Sequence, residues 1–150
     1  MIWLTFATLI AVFIIGFRVL TSEPRRAVRR LSERLAITPV PVETMIDQIG
    51  KGPGAEFIRY LARPDEAHLQ NAAQVLFIWD VYIVDSSERN LQYWHRILQK
   101  ARLAAPITDA QIRLAQGFLR ELEPDIGELN AFQMRYNTLF IPEEGVHWLH

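Results

Sequence analysis

Histidines are the residues of this 150-residue chain best suited to chemistry, because an imidazole can bind a metal ion or transfer a proton near neutral pH. Asp65 and His68 are three residues apart, so a helix would place them on one face, as paired metal ligands require. His147 and His150 stand at the end of the chain, with no further ligand evident beside them. A di-metal carboxylate bundle needs a second Glu-x-x-His pair, which is missing. We therefore expect solvated or capping histidines, and neither a metal nor another cofactor.

A carboxylate interrupts the most apolar stretch in the second half of the chain. Asp80 lies within the run Val75 to Val84, where an unpaired buried charge would be costly. The usual solution is a hydrogen bond to an Arg, Tyr or Trp of a neighbouring helix, and the alternatives are a functional carboxylate or a position at the rim of the fold. In the second reading the protein is a membrane-anchored enzyme or a small-ligand-binding protein, with a pocket near Asp80, Trp94 and His95.

Catalytic signatures are otherwise missing from the sequence. It contains no glycine-rich phosphate loop, no glycine-flanked nucleophilic serine and no His-Glu-x-x-His pair. The absence of cysteine excludes a disulfide scaffold and a thiolate zinc site. With 16 basic and 17 acidic residues, the chain lacks the basic excess of a nucleic-acid-binding protein. We expect a protein that is not an enzyme and does not bind nucleic acid.

The first residues have the composition of a membrane anchor. No ionisable side chain occurs from Ile2 to Phe17, and a helix from Ile2 to Leu20 would be about 28 Å long, close to a hydrocarbon core of about 30 Å. No basic residue precedes the run and no small-x-small site follows it, so a retained span is favoured over a cleaved signal peptide or a buried helix. The sequence therefore predicts a transmembrane anchor over residues 1–21. Ala7 and Ala11 form a weak small-xxx-small pattern, through which the span could form a homo-oligomer.

A basic segment, residues 22–38, follows the predicted anchor and has the pattern of a helix. Arg25 and Arg29, like Arg26 and Arg30, are four residues apart and would stack along one flank. This flank predicts binding to the anionic headgroups of a lipid bilayer, although the arginines could also serve only as a topology signal. By the positive-inside rule they place the N-terminus outside and the C-terminal domain in the cytoplasm.

Residues 39–141 read as a compact cytoplasmic helical domain, and residues 142–150 as a tail. The apolar periodicity predicts four to six helices, so the fold class is all-α. The segment Val75 to Val84 could also be a strand, but no second strand is evident to pair with it. The predicted elements are an extended joint at Pro39-Val40-Pro41, a helix Val42 to Ile49, a turn Lys51-Gly52-Pro53-Gly54, a helix Asp65 to Val84, a cap at Asp85-Ser86-Ser87-Glu88, a capping box Thr108 to Gln111 and a last helix opened by Pro124.

Several stretches together resemble a known family. They are Gly16-Phe17-Arg18-Val19-Leu20-Thr21, Arg63-Pro64-Asp65-Glu66, His68-Leu69-Gln70-Asn71-Ala72-Ala73-Gln74-Val75, Trp94-His95-Arg96-Ile97-Leu98-Gln99-Lys100-Ala101-Arg102 and Glu144-Gly145-Val146-His147-Trp148-Leu149-His150. The chain resembles the YicN-like family of small bacterial proteins of unknown function over its full length. The resemblance implies a protein of the Gram-negative inner membrane and supplies no catalytic residue.

Taken together, the sequence predicts a non-catalytic, single-pass, membrane-tethered interaction or adaptor protein of the bacterial inner membrane, with a periplasmic N-terminus. Its expected partners are the anionic bilayer and an unidentified membrane or cytoplasmic protein. Tethering would raise its effective concentration near membrane partners. The expected partner surface comprises Phe77, Val81 and Trp148, since aromatic and apolar residues dominate binding surfaces.

Overall fold

The computed structural model describes residues 24–141, which are helical and contain no β-strand. Helix α1 covers residues 24–35 of this described part. The prediction of an all-α protein is confirmed, and six further α-helices follow α1, at the upper limit of the predicted four to six. They are α2 Val40–Gln48, α3 Lys51–Leu61, α4 Glu66–Ile78, α5 Glu88–Lys100, α6 Asp109–Phe118 and α7 Ile126–Asn137, with 3-10 turns at Arg120–Leu122 and Thr138–Phe140.

Helix α4 is the central element, and it changes its winding at its C-terminal end. A π-helix, Trp79–Val84, continues α4 without a break, and the Asp85 amide donates to the Asp80 carbonyl across five residues at 2.8 Å. All residues from Ala72 to Trp79 are buried, as an apolar helix at the centre of a fold must be. The helical interpretation of Val75 to Val84 is thereby confirmed. Such wide π turns are rare in proteins, and those that occur are often located at functional sites.

Side-chain caps fix where several helices begin. The side chains of Asp65, Ser87, Thr108 and Asp125 each accept a hydrogen bond from the backbone amide three residues further on. The predicted capping box at Thr108 is confirmed, because the Thr108 backbone amide in turn donates to the side-chain oxygen Oε1 of Gln111 at 3.0 Å. The cap of α5 is Ser87 rather than Asp85.

Two predicted loop segments are helical instead. Pro39 is in the α conformation with φ −71° and ψ −10°, and α2 begins directly after it, so the prediction of an extended joint at residues 39–41 was wrong. Proline is compatible with a first helical turn, where its missing amide hydrogen has no partner to lose. The predicted turn at residues 51–54 is likewise the first turn of α3. It begins after Gly50, whose φ of 99° is accessible to glycine.

A further glycine allows α2 and α3 to pack closely. A Cβ atom on Gly54 would lie 2.8 Å from the Ile46 carbonyl oxygen, which belongs to the backbone of α2. Real Cβ atoms do not approach backbone oxygen so closely, so only glycine fits at this contact. The residues that suggested a turn are therefore explained by the approach of two helices.

Helix α1 belongs to the same hydrophobic core as the helices that follow it. Its buried residues Val28, Leu31 and Leu35 join the core cluster. Two of its arginines bind carbonyl groups at the ends of other helices: Arg30 donates to Leu61 O at 2.6 Å and also to Arg63 O, and Arg34 donates to Ala101 O at 3.1 Å. The core therefore crosses the predicted boundary between residues 22–38 and 39–141. The domain boundaries themselves remain predictions.

The predicted localisation requires a correction. Among residues 24–141, no helix combines the length and the apolar character that crossing a bilayer requires. These residues therefore give no support to the prediction of a single-pass inner-membrane protein with a periplasmic N-terminus and a cytoplasmic domain. The segment to which the span was assigned, residues 1–21, lies outside the described residues, as do Ala7 and Ala11.

Candidate functional site

An open groove of about 500 Å³ lies where α2, the π-helix and α5 meet. We call it the aromatic groove, because Trp79, Tyr93 and Trp94 line it. The turn after α1 and the first turn of α2 also line it. Among the described lining residues, Asp80 is the only one with a charged side chain. The groove thus combines aromatic surface with a single carboxylate.

Asp80 is held in this groove by two side-chain hydrogen bonds to the same oxygen. Its Oδ2 accepts from the indole Nε1 of Trp94 and, at 3.3 Å, from Nδ2 of Asn90. Asn90 also donates to the Asp85 carbonyl at 2.9 Å, which fixes the amide group against the end of the π-helix. The expected bond between Asp80 and an aromatic side chain of a neighbouring helix is confirmed. The other oxygen, Oδ1, accepts no hydrogen bond from the described residues.

The π-helix and α5 position the aromatic side chains differently. Trp79 is buried, and its indole N–H has no hydrogen-bond acceptor within the part of the chain that the structure covers. Trp94 is also buried but donates to Asp80. Tyr93 is half exposed, and its ring stands at 79° to that of Trp94 with the centroids 6.3 Å apart. Two nearly perpendicular aromatic rings therefore line one side of the groove.

Exposed apolar side chains mark the edges of the groove. Val40 is 61% exposed and Val84 is 52% exposed, and both line it. A second depression, of about 880 Å³, lies between α6 and α7, where Ile126, Met134 and Ile141 are exposed but the other lining side chains are mainly polar. An exposed aromatic and apolar surface is typical of binding sites for other molecules. Of the two, the aromatic groove alone has aromatic side chains among its described lining residues.

His95 does not line the aromatic groove, although the sequence predicted a pocket near Asp80, Trp94 and His95. Its Nδ1 lies 3.1 Å from the hydroxyl oxygen of Tyr136, and its ring contacts Phe140 edge to face. Burial lowers the pKa of His95 from its ordinary value and raises that of Tyr136. Asp80 and Trp94 come together as predicted, whereas His95 does not join them. It links α5 to α7 instead.

Asp65 and His68, which were considered as possible metal ligands, meet at a helix cap, as expected for a capping histidine. Oδ2 of Asp65 accepts from the His68 backbone amide at 3.2 Å and lies 2.6 Å from His68 Nδ1. This side-chain bond holds the pKa of the Asp65 carboxyl below its ordinary value. No group of three or more potential metal ligands occurs within residues 24–141. His147 and His150 lie outside those residues.

The arginines proposed to bind anionic headgroups fall into two groups. Arg25, Arg26 and Arg29 are exposed on α1, whereas Arg30 is half buried and donates to the carbonyls that end α3. Its guanidinium therefore has structural partners of its own. Headgroup binding by these four residues remains a prediction.

Two residues of the predicted partner surface lie in the core instead of on the surface. Phe77 and Val81 are buried, and the Phe77 ring packs against Trp94, Phe132 and Tyr136. Neither side chain is therefore open to a partner in this conformation. Trp148 lies outside the described residues.

Several groove residues were not predicted, although the sequence carries a partial signal for them. Tyr93 lies next to Trp94 in α5, so one of the two must turn away from the core stripe. Val40 was assigned to an extended joint, and Val84 was treated only as part of an apolar helix. What the sequence does not reveal is the π turn, which determines how Trp79 and Asp80 meet α5.

This geometry defines a small all-helical protein with an open aromatic groove. The chain belongs to the family described as "Protein of unknown function (DUF1198)", whose model matches residues 1–143. It is 71% identical over 150 residues, covering both chains completely, to "Uncharacterized protein YicN" of Escherichia coli K12, and equally similar to its counterpart in strain O157:H7. The resemblance to the YicN-like family is therefore confirmed.

A solved structure shares the fold. "Crystal Structure of Protein of Unknown Function YPO2564 from Yersinia pestis" matches with a TM-score of 0.78 and 28% identity. The match covers 84% of this chain and 96% of that chain. The similarity supports the helical architecture and adds no assigned activity.

Proposed function

We propose that this protein is a non-catalytic interaction module that binds a short segment of another protein in the aromatic groove. The observation that carries the proposal is the combination of three side chains at least half exposed, Val40, Tyr93 and Val84, around two buried tryptophans. Water-exposed apolar surface of this kind is unfavourable unless a partner covers it. Tryptophan and tyrosine are also the residues that contribute most to binding energy in protein interfaces.

The shape of the groove favours a chain segment over a small molecule. Small-ligand sites usually enclose most of the ligand surface. This groove is open, and Val40, Tyr93 and Val84 in its lining are half exposed or more, so a small ligand would stay largely in contact with water. A peptide segment can lie along the groove and cover Val40 and Val84 together.

A small-ligand site or enzyme is the second candidate, supported by the meeting of Asp80 and Trp94 in one groove. His95, the other side chain assigned to that site, contacts Tyr136 outside the groove. Without it, Asp80 lacks the neighbouring base or nucleophile on which most acid–base or covalent mechanisms depend. The interaction module is therefore the better supported proposal.

Site-specific photocrosslinking of the full chain in living cells tests the proposal. A photoreactive amino acid replaces Val40 in one strain and Val84 in another, with Met134, 72% exposed beside the second depression, as the matched control. We expect the two groove positions to crosslink to the same short stretch of one protein, and the Met134 position to give no such product. Identical products at all three positions, or products formed only with small molecules or with a second copy of this chain, would overturn the proposal.

A further inference from the structure

We infer that the segment bound in the aromatic groove presents a basic side chain, of lysine or arginine, to Asp80, with apolar residues on either side. This inference rests on the proposed function and names the chemistry of the segment. The first argument is charge. Asp80 is the only charged side chain lining the groove, and no basic side chain of residues 24–141 pairs with it. A cation entering the groove therefore meets an opposite charge and no repulsion from the lining.

The second argument is the free hydrogen-bonding capacity of that carboxylate. Both donors, Trp94 Nε1 and Asn90 Nδ2, bond to Oδ2, and Oδ1 accepts nothing from the described residues. A carboxylate offers about four lone-pair positions on its two oxygens, so Oδ1 can accept from an ammonium or a guanidinium. The two existing bonds also fix the carboxylate, so that little side-chain freedom is lost when a cation binds. Hydrogen bonds between two charged groups are stronger than neutral ones.

The third argument is the aromatic lining. The rings of Tyr93 and Trp94 stand nearly at right angles, and Trp79 lines the same groove. Aromatic rings attract cations over their faces, and the half-exposed ring of Tyr93 is the one open to a cation, since Trp79 and Trp94 are buried. Aromatic rings also pack favourably against the methylene stem of lysine or the planar group of arginine. Both parts of a basic side chain thus find a matching surface.

The fourth argument is the rim. Val40, from the first turn of α2, and Val84, from the end of the π-helix, both line the groove and are more than half exposed. A segment whose basic residue reaches Asp80 would place its neighbouring residues over these two valines. Apolar neighbours would remove that surface from water, whereas charged neighbours would lose hydration without gaining a partner.

Binding of matched peptides to the full-length protein tests the inference. Four short peptides share apolar flanks and differ only in a central Lys, Arg, Gln or Glu, and their fluorescence anisotropy is titrated with protein. We expect the Lys and Arg peptides to bind roughly five- to tenfold more tightly than the Gln peptide, and this preference to decrease as salt is raised. n-Butylammonium, which carries the charge without the chain, should bind far more weakly.

Variants locate the effect within the groove. Asp80→Asn retains an oxygen that can accept from Trp94 but removes the charge, so the preference for Lys and Arg over Gln should fall to about one. Tyr93→Leu changes a half-exposed ring without touching Asp80, and it should reduce the same preference. This second variant tests the inference even if Asp80→Asn fails to fold. Met134→Ala is the control outside the groove and should leave every affinity unchanged.

The outcomes separate this inference from the proposed function. Equal binding of all four peptides, sensitive to Tyr93→Leu, would overturn the basic side chain but support a protein-binding groove. Tightest binding of the Glu peptide would overturn the inference in the same way. Binding of n-butylammonium as tight as that of the peptides, or no binding of any peptide, would overturn both proposals.

Discussion

Removal of the Asp80 side chain tests how the groove is held together. In the variant Asp80→Ala, the indole N–H of buried Trp94 loses its only acceptor, whereas Asn90 keeps its bond to the Asp85 carbonyl. A buried donor left without a partner costs about 1–3 kcal/mol. We therefore expect the free energy of unfolding to fall by about 2 kcal/mol. For a chain of this length that corresponds to a decrease in Tm of roughly 4–8 °C.

Thermal unfolding followed by circular dichroism measures this loss, and two further variants assign it. Asp47→Ala removes an exposed carboxylate of α2 that makes no hydrogen bond within the described residues, and Tm should change by no more than about 1 °C. Trp94→Phe removes the donor, so adding Asp80→Ala to it should cost much less than in the natural chain. The difference between the two costs is the interaction energy of the pair.

Two results would refute this reasoning. If Asp80→Ala leaves Tm unchanged, the hydrogen bond from Trp94 contributes nothing to stability, and the carboxylate is not a structural element of the groove. If Asp80→Ala costs the same with Phe as with Trp at position 94, the loss arises elsewhere on Asp80.

Three other perturbations have signs fixed by the structure. Gln74 is fully buried with neither side-chain polar atom hydrogen-bonded to the described residues, so Gln74→Met should raise the free energy of unfolding by about 1 kcal/mol or more. The urea midpoint should rise with it, and a lower midpoint would show that the amide has a partner. Gly54→Ala should destabilise the fold by about 1–3 kcal/mol, because the added Cβ meets the Ile46 carbonyl. Gly117→Ala adds a Cβ in open space and should stabilise the fold slightly. Equal melting temperatures of the two variants would contradict this prediction. Burial lowers the pKa of His95 in the folded chain. Its contribution to stability is therefore present above the ordinary pKa of 6.5 and is lost as pH falls below that value. The urea midpoint should drop between about pH 7.5 and about pH 5.5, and His95→Gln should flatten that drop.

Periodicity and capping chemistry made much of the fold predictable. The stripes Leu91, Trp94, Leu98 and Leu129, Phe132, Tyr136 are buried as their spacing predicts. The Thr108 capping box was also readable, because its two bonds involve residues only three apart. In contrast, Pro41 and Gly54 suggested loops. Their helical roles depend on neighbouring residues and on the distance between α2 and α3, which a local pattern does not contain.

The candidate site was predictable only in part. Asp80 stands out as a charge in an apolar run, and a bond to an aromatic residue of another helix was expected. Which tryptophan donates depends on the π turn, and that winding has no signature in residue type or spacing. The structural role of Arg30 was not predictable for a related reason: its guanidinium group donates to the Leu61 carbonyl, 31 residues further along the chain, and headgroup binding by the arginines of α1 stays a prediction.

The contacts of α1 also impose an order on biosynthesis. Arg34 emerges from the ribosome early, but the carbonyl that it binds belongs to a residue 67 positions later. At about 5–20 residues per second, that residue is added roughly 3–13 s afterwards. Throughout this interval the apolar face of α1, with Leu31 and Leu35, has no completed core to enter. The first described helix of the chain therefore completes its contacts only after α5 has been synthesised, and until then its apolar stripe is open to chaperones on the nascent protein.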